Sequence, residues 1–421
     1  MSEKLIPNKI ANLAYSHLMQ NSLLLIVSNV SAAILNFSIS ILVGRELGQA
    51  GFGRWAFLLA WAAGLTMICE FGMNSLLTRK ISNSSNSLNE LLFSTLLIKI
   101  FFVTITGLVL WSMSPYLGID IETSQGLRYV IFIVLNGVMY SSFTAAFRSH
   151  GLMVPIVLIN ISSILFQLLG TFWLLQIQSQ ILPLIQWVTF IGAVQLSSAF
   201  LFWSLHFGRS GGRVTTSIPV CISLLKASVP FAISGIIGAI QMRSSVILLG
   251  YIKNESAAGL FGSASRFTEA AKLIPNGIFD AAFPVFAKAG NGMEGQKLLF
   301  RQINRVIFLY CIVVVIPLLF LSSYVIKWTF GQAFLPASPI LIWLGISLFP
   351  TLSNAVIELY LYASGDEKFA TWLGFVNVGV QLLASLPLMY FYGAVGAVIG
   401  VLLGEIAIWL PLKLRLRSLM S

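Results

Sequence analysis

The chain has 421 residues, of which 57% are hydrophobic and only 9% charged, with a formal net charge of +11. Soluble proteins carry about 25% charged residues, so the composition describes a polytopic membrane protein and not a soluble one. A mean hydropathy of +0.90 agrees.

The apolar runs predict an all-α integral membrane protein of twelve transmembrane helices in two six-helix lobes around a central cavity. At the N-terminus no small-residue cleavage site follows a short apolar core, so no removable signal is evident. Ile6–Gln20 reads either as an interfacial helix or as a disordered tail. The first six spans are Leu23–Val43, Trp55–Leu77, Leu91–Met113, Tyr129–Phe147, Val154–Leu175 and Leu184–Phe207. The last six are Phe231–Leu249, Leu260–Phe283, Val306–Ser322, Pro339–Tyr362, Phe369–Tyr390 and Ala394–Leu412. Every loop is short, which excludes a fused ATP-hydrolysing or catalytic module.

A basic, glycine-rich linker, Gly208-Arg209-Ser210-Gly211-Gly212-Arg213, divides the chain into lobes 1–210 and 211–421. A weak repeat supports the division. Gly48-Gln49-Ala50-Gly51-Phe52-Gly53 after span one resembles Glu255 to Gly262 after span seven. Six spans is an even number, so the halves enter the membrane in the same direction, as parallel repeats with a cavity expected between them.

Fifteen basic residues fall on the side of the termini (Lys4, Lys9, Arg79, Lys80, Arg148, Arg209, Arg213, Lys288, Lys297, Arg301, Arg305, Lys368, Lys413, Arg415, Arg417). Five fall on the other: Arg45, Arg54, Arg128, Lys253 and Lys327. This bias puts both termini in the cytoplasm. The net charge is mostly this bias and not a nucleic-acid footprint.

Charges inside the spans are the informative ones, because each costs roughly 2.5–3.5 kcal/mol near the bilayer centre. Span two carries Glu70 and span three Lys99, equally far from the tip near Ser84-Ser85. A structural ion pair is the simpler reading of these two; proton or sodium coupling through Glu70 is the sharper one. Span seven carries Arg243, with Gln241 as its polar neighbour and no acid. Span eight carries Arg266, Glu269, Lys272 and Asp280, with Pro275 suggesting a kink or hinge. Arg243 and Arg266 each lie about ten residues from the loop Lys253–Ser256, hence roughly 15 Å deep. Arg266 and Asp280 fall within about 40° of each other on one helical stripe. Pairing of Glu269 with Lys272 at i,i+3 would leave Arg266 less compensated. The resulting positive surplus suits an anion, and Arg suits bidentate phosphate contact. The bland alternative is that Arg266 pairs with Glu269 and the cluster joins helices. Glu358 and Glu405 lie six to eight residues from the cytoplasmic ends of their spans and could reach the interface.

Cys69, Cys221 and Cys311 have no paired spacing, and His17, His150 and His206 no metal-ligand spacing. No metal or cofactor is expected. Phosphate-loop and zinc-protease motifs are missing.

The order of short motifs resembles the polysaccharide flippases of the Wzx type, in the superfamily that also holds lipid II flippases and multidrug-and-toxin extruders. The matching segments are Leu47 to Gly53, Glu70-Phe71-Gly72 followed by Arg79, Ala258-Gly259-Leu260-Phe261, and Phe330-Gly331-Gln332-Ala333-Phe334. Tyr362-Ala363-Ser364-Gly365 and Gly393 to Ala397 complete the series. Where members carry Asp before Phe-Gly in span two, this chain has Glu70. The resemblance implies export of an undecaprenyl-pyrophosphate-linked oligosaccharide, such as an O-antigen repeat unit, across the bacterial inner membrane by alternating access. It makes Arg243 and Arg266, with Lys272 and Glu269, the candidate substrate site. Glu70, Lys99 and Asp280 are the candidates for coupling to H+ or Na+. Expected partners are the lipid-linked oligosaccharide, membrane lipid and polysaccharide assembly proteins. An ion-coupled multidrug exporter and a membrane glycan polymerase or ligase are the alternatives.

Overall fold

The computed structural model describes residues 8–83, 88–207, 216–288 and 293–420, and every regular element among them is helical. The linker at 208–213 and the tip at Ser84-Ser85 lie outside these residues.

A straight helix of 63 residues would be about 94 Å long, three times the roughly 30 Å hydrocarbon core. Helix α1 (Asn8–Glu70) has that length but breaks at Gly48, where φ is 67° and ψ −170°. Only glycine adopts this backbone without penalty. The two arms fold back on each other. Phe37 and Phe52 both meet the ring of Phe330, with centroids 6.4 and 5.5 Å away, although they are fifteen residues apart. The first arm begins at residue 8, so residues 8–20 are helical and continuous with the first span.

The second arm ends sooner than expected. Phe71 (φ 47°) and Gly72 (φ 65°) turn the chain into a short amphipathic helix, α2 (Met73–Asn83), which is the tail of the predicted second span. Then follow α3 (Leu88–Met113), α4 (Ile121–Ser149), α5 (Met153–Ile177), α6 (Ile181–Phe207) and α7 (Ile218–Ile252).

The predicted eighth span is two helices, α8 (Glu255–Ala271) and α9 (Leu273–Lys288), joined at Lys272. Pro275 has no N–H for the carbonyl of Ala271, four residues earlier. That carbonyl instead accepts a 2.6 Å hydrogen bond from the Tyr310 hydroxyl, so the break leaves no orphan. The remaining helices are α10 (Met293–Thr329), α11 (Ser338–Ala363), α12 (Glu367–Tyr392) and α13 (Ala394–Met420). Among the described residues, ten helices are long and apolar enough to cross a membrane. Counting both arms of α1, and α8 with α9 as one crossing, gives the twelve expected.

The two glycine motifs read as a repeat pack against each other. A Cβ on Gly259 would lie 2.1 Å from the carbonyl oxygen of Gln49, and one on Gly53 1.8 Å from that of Glu255. The α1 bend and the start of α8 therefore cross backbone to backbone, as small residues allow in membrane helices. Gly259→Ala should cost about 1–3 kcal/mol through overpacking, read as a lower unfolding temperature of the detergent-solubilised protein.

Two apolar cores hold the bundle. The larger includes Val43, Phe52, Trp55, Val130, Val134 and Ala258 and reaches Phe330 and Phe334 after α10. The smaller joins α9 to α13 through Phe286, Ile307, Leu352, Leu361 and Leu412. Outside them, Phe101, Leu108, Leu169, Trp173, Leu383 and Phe391 are exposed, as lipid-facing side chains are. All three cysteines are free, two buried and Cys221 half-buried, in keeping with a packing role.

Candidate functional site

A chamber of about 650 Å³ opens between the second arm of α1 and helices α7, α8, α11, α12 and α13. Arg243 reaches it from α7, Arg266 and Glu269 from α8, and Lys272 from the α8–α9 joint. The sequence placed the two arginines at one depth, and the structure brings them to one carboxylate. Arg243 Nη1 lies 3.3 Å from Glu269 Oε1, and Arg266 Nη1 lies 3.0 Å from Glu269 Oε2. Arg243 thus has an acid after all, supplied across the α7–α8 pair and not by its own helix. Each guanidinium carries five N–H donors and uses one on this carboxylate. Arg243 Nε is buried with no partner.

Lys272 does not pair with Glu269. Among the described residues no carboxylate lies within 4.0 Å of its ammonium. The expected stripe joining Arg266 to Asp280 is also broken. Asp280 lies on α9, beyond the joint at Lys272, and is exposed outside the chamber lining.

Glu358 and Glu405 face the same chamber, contrary to an interfacial position. Glu405 is only 3% exposed. Its Oε2 accepts from Asn354 Nδ2 at 2.8 Å and its Oε1 from Gln241 Nε2 at 3.4 Å. The sequence misplaced it because α13 does not stop at Leu412, where the apolar run ends. The helix continues to Met420, which puts Glu405 fifteen residues from its end. Three acids and three bases therefore line the chamber, which removes the overall positive surplus. The surplus is local: one carboxylate serves two guanidiniums on the α7–α8 wall, while Glu405 is held by the side-chain amides of Asn354 on α11 and Gln241 on α7.

Glu70 and Lys99 form no direct ion pair. Asn74 stands between them, donating from Nδ2 to Glu70 Oε1 at 2.7 Å and accepting at Oδ1 from Lys99 Nζ at 2.6 Å. Lys99 is fully buried, and its ammonium also donates to Ser142 Oγ (2.7 Å) and the Val138 carbonyl (3.3 Å). Three neutral acceptors satisfy this charge, as a buried ammonium requires.

The end of the bundle opposite the C-terminus is tied shut above the chamber. Arg54 on the second arm of α1 meets Glu255 at 2.5 Å, Glu122 at 3.1 Å and Asp120 at 3.8 Å. Glu122 also accepts from the amides of Ile181 (2.8 Å) and Leu182 (3.3 Å), which open α6. Asp120 caps α4 through the Thr123 amide. Burial pushes the Asp120 carboxyl up, but its bonds to Thr123 and the Arg54 charge bring it net below its usual value. Arg45 donates to the carbonyls of Thr329 and Trp328, and Gln49 to that of Ala333. The chamber instead extends toward the α11–α12 turn, where Tyr362 and Thr371 line it.

The family described as Polysaccharide biosynthesis protein matches residues 18–289. A Shigella dysenteriae protein named "Putative O-antigen transporter" is 25% identical over 399 residues, covering 92% of this chain and 97% of that one. Among solved structures, the inward-facing conformation of a multidrug resistance MATE family transporter of the MOP superfamily is similar at a TM-score of 0.76 and 15% identity, covering 92% of this chain and 95% of that one. Lipid II flippase MurJ in an inward closed conformation is similar at 0.73 and 16% identity, covering 93% and 87%. An outward-facing MATE family transporter reaches 0.62 at 14% identity, covering 96% of each chain.

Proposed function

The chain belongs to the polysaccharide biosynthesis protein family, and from that premise we propose that it carries an undecaprenyl-pyrophosphate-linked oligosaccharide, such as an O-antigen repeat unit, from the cytoplasmic to the periplasmic leaflet of the bacterial inner membrane. It acts as a transporter and not as an enzyme. Both termini are cytoplasmic in this reading, following the basic-residue bias, and the Arg54 end is periplasmic. Lobes 1–210 and 211–421 rock about the chamber to give alternating access.

One observation carries the reading: two guanidiniums from neighbouring helices share a single carboxylate at a chamber wall. Most of their donors are unused, and the local charge is positive. A pyrophosphate offers several acceptor oxygens and two or more negative charges to that wall, and Arg binds such oxygens bidentately. The glycan occupies the polar chamber and the lipid tail stays in the bilayer. Coupling to H+ or Na+ is assigned to Glu70 and Lys99, which communicate through Asn74.

Expression in a bacterium lacking its own flippase, together with the neighbouring glycosyltransferases, should restore surface polysaccharide. Absence of polysaccharide with the protein present in the membrane would refute the reading. The second reading, export of cationic compounds, draws on Glu358 and Glu405 in the same chamber. It predicts drug resistance in the expressing cells and no polysaccharide.

A further inference from the structure

The Glu269 carboxylate stands where the proposed substrate anion must go. Its two oxygens each take one guanidinium, at 3.3 Å for Arg243 and 3.0 Å for Arg266. Neither contact is forked, since each arginine gives a single Nη1. Forked contacts are the strong ones for Arg. The buried, unpartnered Nε of Arg243 is the second tine such a fork would use. Glu269 is the least enclosed of the three, its side chain 36% exposed against 27% for Arg243 and 23% for Arg266. Lys272 lies three residues further along the chain, within reach by the ordinary i,i+3 relation. It has no carboxylate within 4.0 Å among the described residues. The other acids are placed differently. Glu405 is held by Asn354 and Gln241, and Glu358 forms no ion pair among the described residues.

We infer that Glu269 is a displaceable internal counterion, which offsets one of the two charges of Arg243 and Arg266 in the empty chamber and swings to Lys272 when a lipid pyrophosphate takes the arginines. This rests on the proposed substrate site and adds a regulation to it. Two bare cations at mid-membrane would make the empty carrier costly to form and to return. Glu269 lowers that cost, and in exchange competes with the substrate. The same competition lets it expel the pyrophosphate at the far leaflet. Lys272 receives the displaced carboxylate, so no charge is stranded in the loaded state.

The test is binding of farnesyl pyrophosphate to the full-length protein in lipid nanodiscs, with thermal unfolding checked for each variant. Glu269→Gln should bind about tenfold more tightly than the native protein, within the range usual for coupled sites. Glu269→Ala should do the same, which guards against a local effect of one substitution. Lys272→Met should bind about threefold more weakly, because displaced Glu269 then has no partner. In cells, Glu269→Gln should give less surface polysaccharide despite tighter binding, since release and return are slowed. Unchanged or weaker binding by both Glu269 variants would overturn the inference and make Glu269 a residue that only holds the arginines in position. The substrate-site reading fails separately, if Arg243→Ala/Arg266→Ala binds the probe as the native protein does. Absence of binding by every variant overturns both.

Discussion

The double variant Arg243→Ala/Arg266→Ala is expected to abolish surface polysaccharide in the complementation strain while the protein stays at native levels in the membrane. Each hydrogen bond from a charged group contributes about 1.5–3 kcal/mol. Losing one set from each arginine lowers pyrophosphate affinity by more than about a hundredfold. Removal of both guanidiniums also strips Glu269 of its two ion-pair partners and leaves it only Lys272 to turn to, a change at this wall besides the lost cations. The triple variant that adds Glu269→Gln is therefore the control. It carries no unpaired carboxylate at this wall, so its failure to export reports the missing cations and not a stranded anion. Arg243→Lys and Arg266→Lys keep the charge but lose the planar fork, and intermediate export is the expected outcome. Full export by the double variant, measured against protein level by immunoblot, would exclude this wall as the substrate site.

What the sequence could reveal of this wall follows from how helices count residues. Arg243 and Arg266 flank one turn, and a fixed rise per residue places them at equal depth without any knowledge of packing. Their common partner was hidden for the same reason. A periodicity argument sees Glu269 beside Lys272 or Arg266 on one helix, and not beside Arg243 on another. Pro275 announces an interruption, but that the Tyr310 hydroxyl on α10 takes up the freed Ala271 carbonyl is visible only in the packing. Glu405 lies deeper than hydropathy places it, because hydropathy marks where the apolar run ends while the helix runs on through Lys413, Arg415 and Arg417. The paired glycine motifs were legible as a repeat, yet nothing in their spacing said that they touch. The contact needs the reversal of α1 at Gly48, and φ at one glycine does not follow from hydropathy. Asn74, likewise, could be recognised as the link between Glu70 and Lys99 only once α2 turned it toward α3 and α4.

Arg54→Ala should open the end of the bundle that is periplasmic in the proposed orientation. Arg54 joins three chain segments: its own arm of α1, the start of α4 through Asp120 and Glu122, and the start of α8 through Glu255. The link to Glu255 spans the two proposed lobes, and a transporter that opens to this side must break it. Pairs as exposed as these contribute about 0.2–1 kcal/mol singly. Their loss together, with three carboxylates then facing one another, shifts the equilibrium by about 1–2 kcal/mol, or roughly tenfold. The shift is read by introducing Ala60→Cys, on the chamber wall, into a background in which Cys69, Cys221 and Cys311 are serine. A membrane-impermeant maleimide added from outside should label this cysteine about tenfold faster in the Arg54→Ala variant. Adding Glu255→Gln should return part of the closure, because one repelling carboxylate is removed while the Gly53–Gly259 crossing is kept. Arg54→Lys should stay near native labelling, since an ammonium can still answer the three acids. Equal labelling of native and Arg54→Ala proteins would mean that the backbone crossing alone closes this end. The charges around Arg54 would then serve only to anchor α4 and α6.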